Sequence, residues 1–187
     1  MAQLRGIGNV VRNSVIDTVR GTGEVLEAVT ESVTQSLATE LRGAGTAGGE
    51  LTGTVSDVAR GAIQGANEVG GDLGTAAKGT VIGALKGAVS ARVNALDAVA
   101  SAAGAAVQGA SLAGTDAAHA AKRAVEGAIW GAKDLGVDAA EVAAAAAGGA
   151  LEAAGDISAA ALAEVRRTVT GVIDGVQVAP REEEPRP

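Results

Sequence analysis

Few residues of this 187-residue chain are of a kind that does chemistry. His119 is the single histidine and there is no cysteine. A metal held by nitrogen and sulfur ligands needs several of them at close spacing, so His119 reads as a solvated surface residue and no metal is expected. Gly43, Gly45 and Gly48 match G-x-G-x-x-G, a pattern that brings a backbone against a pyrophosphate where a buried strand turns into a helix. The preceding SLATELR is charged and helix-periodic, so the glycines lack that setting and no nucleotide cofactor is expected. Glu24, Glu27 and Glu31 are spaced as solubilising charges on one helical face, not as an acid–base couple. With no nucleophile partnered by a base, the reading is of a non-enzymatic protein.

What positions these residues is a repeat. TVRG (18–21) returns as ELRG (40–43), AIQG (62–65), ALKG (84–87), AVQG (106–109) and AIWG (128–131), each copy 22 residues after the last, with weaker echoes at ALEA (150–153) and VIDG (172–175). Half that interval is also a period. Steps of 11 from Val11 reach Val33, Val55, Ala77, Ala88, Val99, Ala110, Ala121 and Val165 without meeting a charge. Eleven residues in three turns place successive side chains about 98° apart, so the apolar rows form one broad stripe on a helix. The phase holds from about Leu4 to Val176, and all three prolines lie in the last eight residues.

Hairpin loops of arbitrary length would shift this register. An unshifted repeat therefore predicts an all-α fold built on one long, nearly continuous amphipathic helix, roughly 260 Å long at about 1.5 Å per residue. The Gly clusters at 43–53, 70–74 and 148–149 are the places where bends or hairpin turns would break it. A glycine inside a helix costs about 1 kcal/mol relative to Ala, which is rational where a neighbouring helix approaches closely. Gly21, Gly43, Gly65, Gly87, Gly109 and Gly131, with Ala77, Ala88, Ala110 and Ala121, are thus the expected self-association residues. The alternatives are that the glycine only marks a duplicated unit, or that each one ends a short helix of a solenoid.

A lone helix cannot bury such a stripe. The 11-residue period predicts a right-handed supercoil of three or more helices, that is, a homo-oligomer. At the level of pattern the chain resembles hendecad coiled coils and, more distantly, the 11/22-residue amphipathic repeats of exchangeable apolipoproteins, perilipins and synucleins, and phasin-like granule coats. The first resemblance implies a self-assembling rod and the second a lipid-surface coat. The sequence departs from the lipid-binding group in having no Phe or Tyr and no Pro between its repeats.

Hydrophobic residues make up 47% of the chain, mostly Ala, Val, Leu and Ile, which is too many for a disordered chain. Net charge is -7 with interleaved signs, and with no aromatic array to stack bases this argues against nucleic acid as a partner. No signal peptide or clear transmembrane helix is read, which suggests a cytoplasmic or peripheral-membrane location. Three regions are expected. Residues 1–58 carry the larger apolar side chains, with Leu4, Ile7, Val11, Val15, Leu26 and Val33 facing lipid or the lumen of a wider bundle. Residues 59–176 form an Ala/Gly-rich rod, and residues 177–187 a disordered Pro/Glu/Arg tail. Trp130 breaks the polar row and, with Val137 on the same side, marks a docking spot for a protein partner; the tail is the other candidate, as a docking peptide or a plain solubilising end. The function expected is a non-catalytic, self-assembling scaffold or stalk, membrane-associated, that holds partners through its C-terminal region and whose apolar lumen admits lipophilic molecules. The alternative is a peripheral coat on a membrane, droplet or storage granule.

Overall fold

The structure, a computed structural model, describes residues 2–43 and 48–181. These form helices α1 (Ala2–Thr22), α2 (Val25–Gly43), α3 (Gly48–Glu68), α4 (Leu73–Ala91), α5 (Ala95–Leu112), α6 (Ala117–Leu135), α7 (Ala139–Ile157) and α8 (Ala159–Val169), then strands β1 (Gly171–Ile173) and β2 (Val176–Val178). The chain is all-helical apart from that hairpin, but the single continuous helix is corrected to a series of separate ones.

The correction has a local cause. Residues 70, 92, 114 and 136 all sit in the left-handed region, as Gly70 (φ 70), Arg92 (φ 59), Gly114 (φ 78) and Gly136 (φ 69). The N–H of the following residue then reaches back to close a Schellman turn: Gly71 to the Ala66 carbonyl at 2.8 Å, Val93 to Ala88 at 3.1 Å, Thr115 to Ala110 at 2.9 Å and Val137 to Ala132 at 3.0 Å. The next residue caps the next helix. Asp72, Asn94, Asp116 and Asp138 each accept backbone N–H bonds from the first turn of α4, α5, α6 and α7. These turns recur at one interval and consume equal lengths of chain, so a hendecad phase passes through them unbroken. The phase that argued for continuity is equally the signature of uniform turns.

Thr75 shows how firmly a cap is held. Its N–H donates to the Asp72 carboxylate at 2.7 Å, and its side chain first, then its backbone, hold that carboxyl below the ordinary value of 3.8. A depressed folded value means that the stabilisation is complete above the ordinary value and is lost as pH falls through the folded one. The stability difference between the wild type and Asp72→Asn should therefore shrink in thermal melts as pH drops below about 4. A difference that stays constant to the foot of the acid transition would contradict this.

Helices two apart in sequence lie side by side and run parallel. Arg42 reaches Ser90, Arg60 reaches Gln108 and Lys86 pairs with Asp134, at one constant offset. Two layers result: α1, α3, α5 and α7 in one, and α2, α4, α6 and α8 in the other, with the chain crossing between them at each turn. This is a zigzag of successive helices in the manner of a solenoid. Between the layers lies the core, where Ala77, Ala88, Ala110 and Ala121 are fully buried beside Leu37, Ile63, Ile82, Leu85 and Ile129.

The chain leaves the helical pattern at its end. VIDG, read as the last echo of the repeat, forms the hairpin turn itself, with Asp174 (φ 48) and Gly175 (φ 79) both in the left-handed region, as a type I′ turn requires. Ile173 pairs with Val176 and Gly171 with Val178. Helix therefore ends at Val169, not Val176, and Gln177 and Val178, read as part of the tail, are strand. The boundary expected after residue 58 falls inside α3. Of the glycine clusters, 70–74 holds a turn and 148–149 lies within α7, while 43–53 includes residues 44–47, outside those described.

Among the described residues, both ends of the array differ from its inner helices. Inner helices meet their predecessors through a pair of small residues four apart, such as Gly61/Gly65, Gly83/Gly87 and Gly127/Gly131; the same register in α1 is Asp17/Gly21, with both residues exposed. In α2 the first position of the pair is Thr39, also exposed. At the other end the Arg181 N–H donates to the Ala144 carbonyl at 3.2 Å and its guanidinium pairs with Glu141 at 2.9 Å, laying the final segment along α7. Polar or covered outer faces of this kind are what keeps a repeat array from stacking end on end.

Candidate interaction surfaces

Four glycines of the repeat, Gly65, Gly87, Gly109 and Gly131, lie at helix contacts within one chain. A Cβ on Gly65 would meet the Arg12 carbonyl at 2.7 Å, one on Gly87 the Leu37 Cβ at 2.8 Å, one on Gly109 Ile63 at 3.0 Å and one on Gly131 Leu85 at 3.2 Å. Gly21, in the first described helix, has nothing within 4 Å. Gly43 ends α2, but its surroundings lie outside the described set. A second small row four residues earlier, absent from the sequence reading, makes the tightest crossings: a Cβ on Gly61 would stand 2.1 Å from the Gly8 carbonyl and one on Gly149 2.0 Å from that of Ala100.

The residues expected to face lipid or a lumen are brought together inside the chain. Val11, Val15 and Val33 are fully buried in the core, with Ile7 partly buried against it. Leu26 is half-buried beside Gly79 of α4; Leu4 lies in α1, its side chain outside the described set. Among the described residues no helix is long and apolar enough to cross a membrane, and no cluster of three or more His, Cys, Asp or Glu is placed to hold a metal ion. His119 is exposed on α6 and abuts Gly74 of α4. The Gly43, Gly45, Gly48 motif runs through residues outside those described.

Once the layers are known, charge separates by helix from α3 to α7, whereas α1, with Arg12 and Arg20, and α2, with Glu27, Glu31 and Glu40, run the other way. Helices α4 and α6 carry Lys78, Lys86, Lys122, Arg123 and Lys133 against Glu126 and Asp134. On the opposite layer α3, α5 and α7 carry Glu50, Asp57, Glu68, Asp97, Glu141, Glu152 and Asp156 against Arg60 alone. The linear sequence hides this, because alternate 22-residue segments point to opposite sides and their charges average out along the chain.

Trp130 stands on the basic side, 50% exposed. The Lys86 ammonium lies 5.5 Å from its ring centroid and is steered there by Asp134, 2.8 Å away. Lys133 donates to the Asp174 carbonyl at 3.0 Å, tying the hairpin to α6. Val137, 42% exposed, follows in the turn after α6. The indole is thus held in a cation–π contact while much of its surface stays in water.

The acidic side carries a groove of about 580 Å³ between α3, α5 and α7. Its floor is Ala100, Gly104, Ala105, Gly149 and Ala153, and its rim includes Asp97, Ser101, Gln108, Glu152 and Asp156. Small residues create it: α5 and α7 approach backbone to backbone at Gly104 and Gly149, so nothing rises from the floor. A second groove of about 530 Å³ continues toward α8, with Leu96, Leu151 and Leu162 beside Arg166 and Arg181. Neither groove was anticipated from the sequence. No family model matches the chain, and no curated protein shows a significant match.

Proposed function

We propose that this protein is a non-catalytic helical-repeat scaffold that holds a protein partner on the α4/α6 face, with Trp130 as the anchor and Val137 beside it. The observation that carries the reading is the half-exposed indole, braced by Lys86 on a face rich in cations. A large, amphipathic side chain with few rotamers is the commonest kind of interface anchor. The apolar stripe that would feed a multi-chain coiled coil is occupied within the chain, so in this reading assembly uses the outer faces and not the core.

The test is a photo-reactive benzophenone side chain in place of Val137, introduced in the native source with Trp130 kept. Discrete protein adducts are expected, and Trp130→Ala should lower their yield about thirtyfold, the loss of an anchor worth about 2 kcal/mol. An adduct pattern indifferent to Trp130→Ala, or no adducts, would overturn the assignment.

A further inference from the structure

We infer that one partner of this face is a second copy of the chain: Trp130 of one molecule seats in the α5/α7 groove of the next. The inference rests on the scaffold reading above and names what the anchor meets.

Two surfaces of the same molecule complement each other in shape and in charge. One presents a half-exposed indole with the Lys86 ammonium, itself paired with Asp134, over its ring and Lys133 three residues further along α6, on helices that carry more cations than carboxylates. The other presents a depression floored by Gly and Ala and rimmed by Asp97, Glu152 and Asp156, roomy enough at about 580 Å³ for an indole. Arg60, the one cation on that rim, is engaged by Asp57 and by the rim residue Gln108. The two surfaces lie on opposite layers and cannot meet within one chain. Their apolar parts exclude water while cation–carboxylate pairs at the edge set the orientation, the division of labour usual at protein interfaces.

The contact is heterologous, because the patch on one molecule differs from the patch it meets on the next. Such contacts propagate when the rotation does not close a ring. Among the described residues, end-on stacking is disfavoured by Asp17 and Thr39, which replace small residues at one end, and by the Arg181 segment, which lies along α7 at the other.

The test is light scattering coupled to size exclusion over a range of protein concentrations, on three versions of the full chain. Wild type should rise in mass with concentration, weaken in high salt and show Trp130 emission moving to the blue as it associates. Trp130→Ala removes the knob. Glu152→Lys/Asp156→Lys reverses the rim at exposed positions in the last turns of α7, where a cation suits the helix dipole. Each variant alone should remain monomeric, with association weakened at least about tenfold. Mixed, they should form a one-to-one pair and nothing larger, since each retains the half that the other lacks. A wild type that stays monomeric at every concentration, variants that fail to pair although folded, or Trp130→Ala associating as wild type does would each overturn the inference. Monomeric wild type with Trp130-dependent photo-adducts to another protein would reject self-pairing and leave the scaffold standing. Loss of both signals would reject both.

Discussion

Replacing Asp72, Asn94, Asp116 and Asp138 together by Ala is expected to destabilise the fold by about 4 kcal/mol, the sum of about 1 kcal/mol for each lost cap. Each of these side chains accepts N–H bonds from the first turn of its own helix, at 2.7 Å for Asp72 and 2.8 Å for Asp116. The bonds are local to separate turns, so the losses should nearly add. Those N–H groups have no carbonyl four residues earlier to accept them, and Ala offers no substitute. The reference is the set of single variants, measured by urea unfolding followed by circular dichroism. A quadruple variant within about 1 kcal/mol of wild type would mean that the turns are held by packing and that the caps are incidental.

Gly149→Ala is expected to lower stability by about 3 kcal/mol although Ala is the better helix former. The new methyl would stand 2.0 Å from the Ala100 carbonyl oxygen, 2.6 Å from its carbon and 2.8 Å from its Cα. These are backbone atoms of α5, so relief requires two helices to separate, which opens the Ala contacts along their length. Gly53→Ala supplies the opposite sign. It lies inside α3 with nothing within 4 Å of the added Cβ, and should gain about 1 kcal/mol from helix propensity. Thermal melts of the two variants should move in opposite directions. Movement in the same direction would show that α5 and α7 do not cross where the structure places them.

How much of this was legible follows from particular residues. The 22-residue interval and the apolar stripe are plain in the sequence, and the residues of that stripe, Val11, Val33, Val55, Ala77, Ala110 and Ala121, are those of the core. The continuous helix is the wrong inference from a right pattern: phase is lost through loops of differing length, whereas these turns are alike. Two signals marked them. A left-handed residue at 70, 92, 114 and 136 is followed two places later by Asp or Asn at 72, 94, 116 and 138, a C-cap and an N-cap on the period of the repeat. Arg92 obscured the first, since Gly is the expected occupant. Asp174-Gly175 between alternating apolar residues is a strong hairpin signal, masked because Gly175 also fits the glycine row. The groove was not legible at all. Asp97, Ser101 and Glu152 become neighbours only when α5 and α7 lie in one layer, a relation that no local pattern encodes. Trp130 was legible as an anomaly, and its exposure follows from its place in a polar row.

Both outer faces exist only if the chain folds back at each turn. The most direct measurement is a spin-label distance between Gln64→Cys and Glu152→Cys, in a chain that has no native cysteine to interfere, diluted into unlabelled protein to remove contacts between copies. The two positions hold the same register in α3 and α7, two helices apart in one layer. Neighbouring helices packed about 8–10 Å apart predict a separation of about 20 Å, apart from the label arms. A continuous helix would hold the labels roughly 130 Å apart, and the absence of any short distance in dilute, folded protein would contradict the solenoid and everything built on its faces.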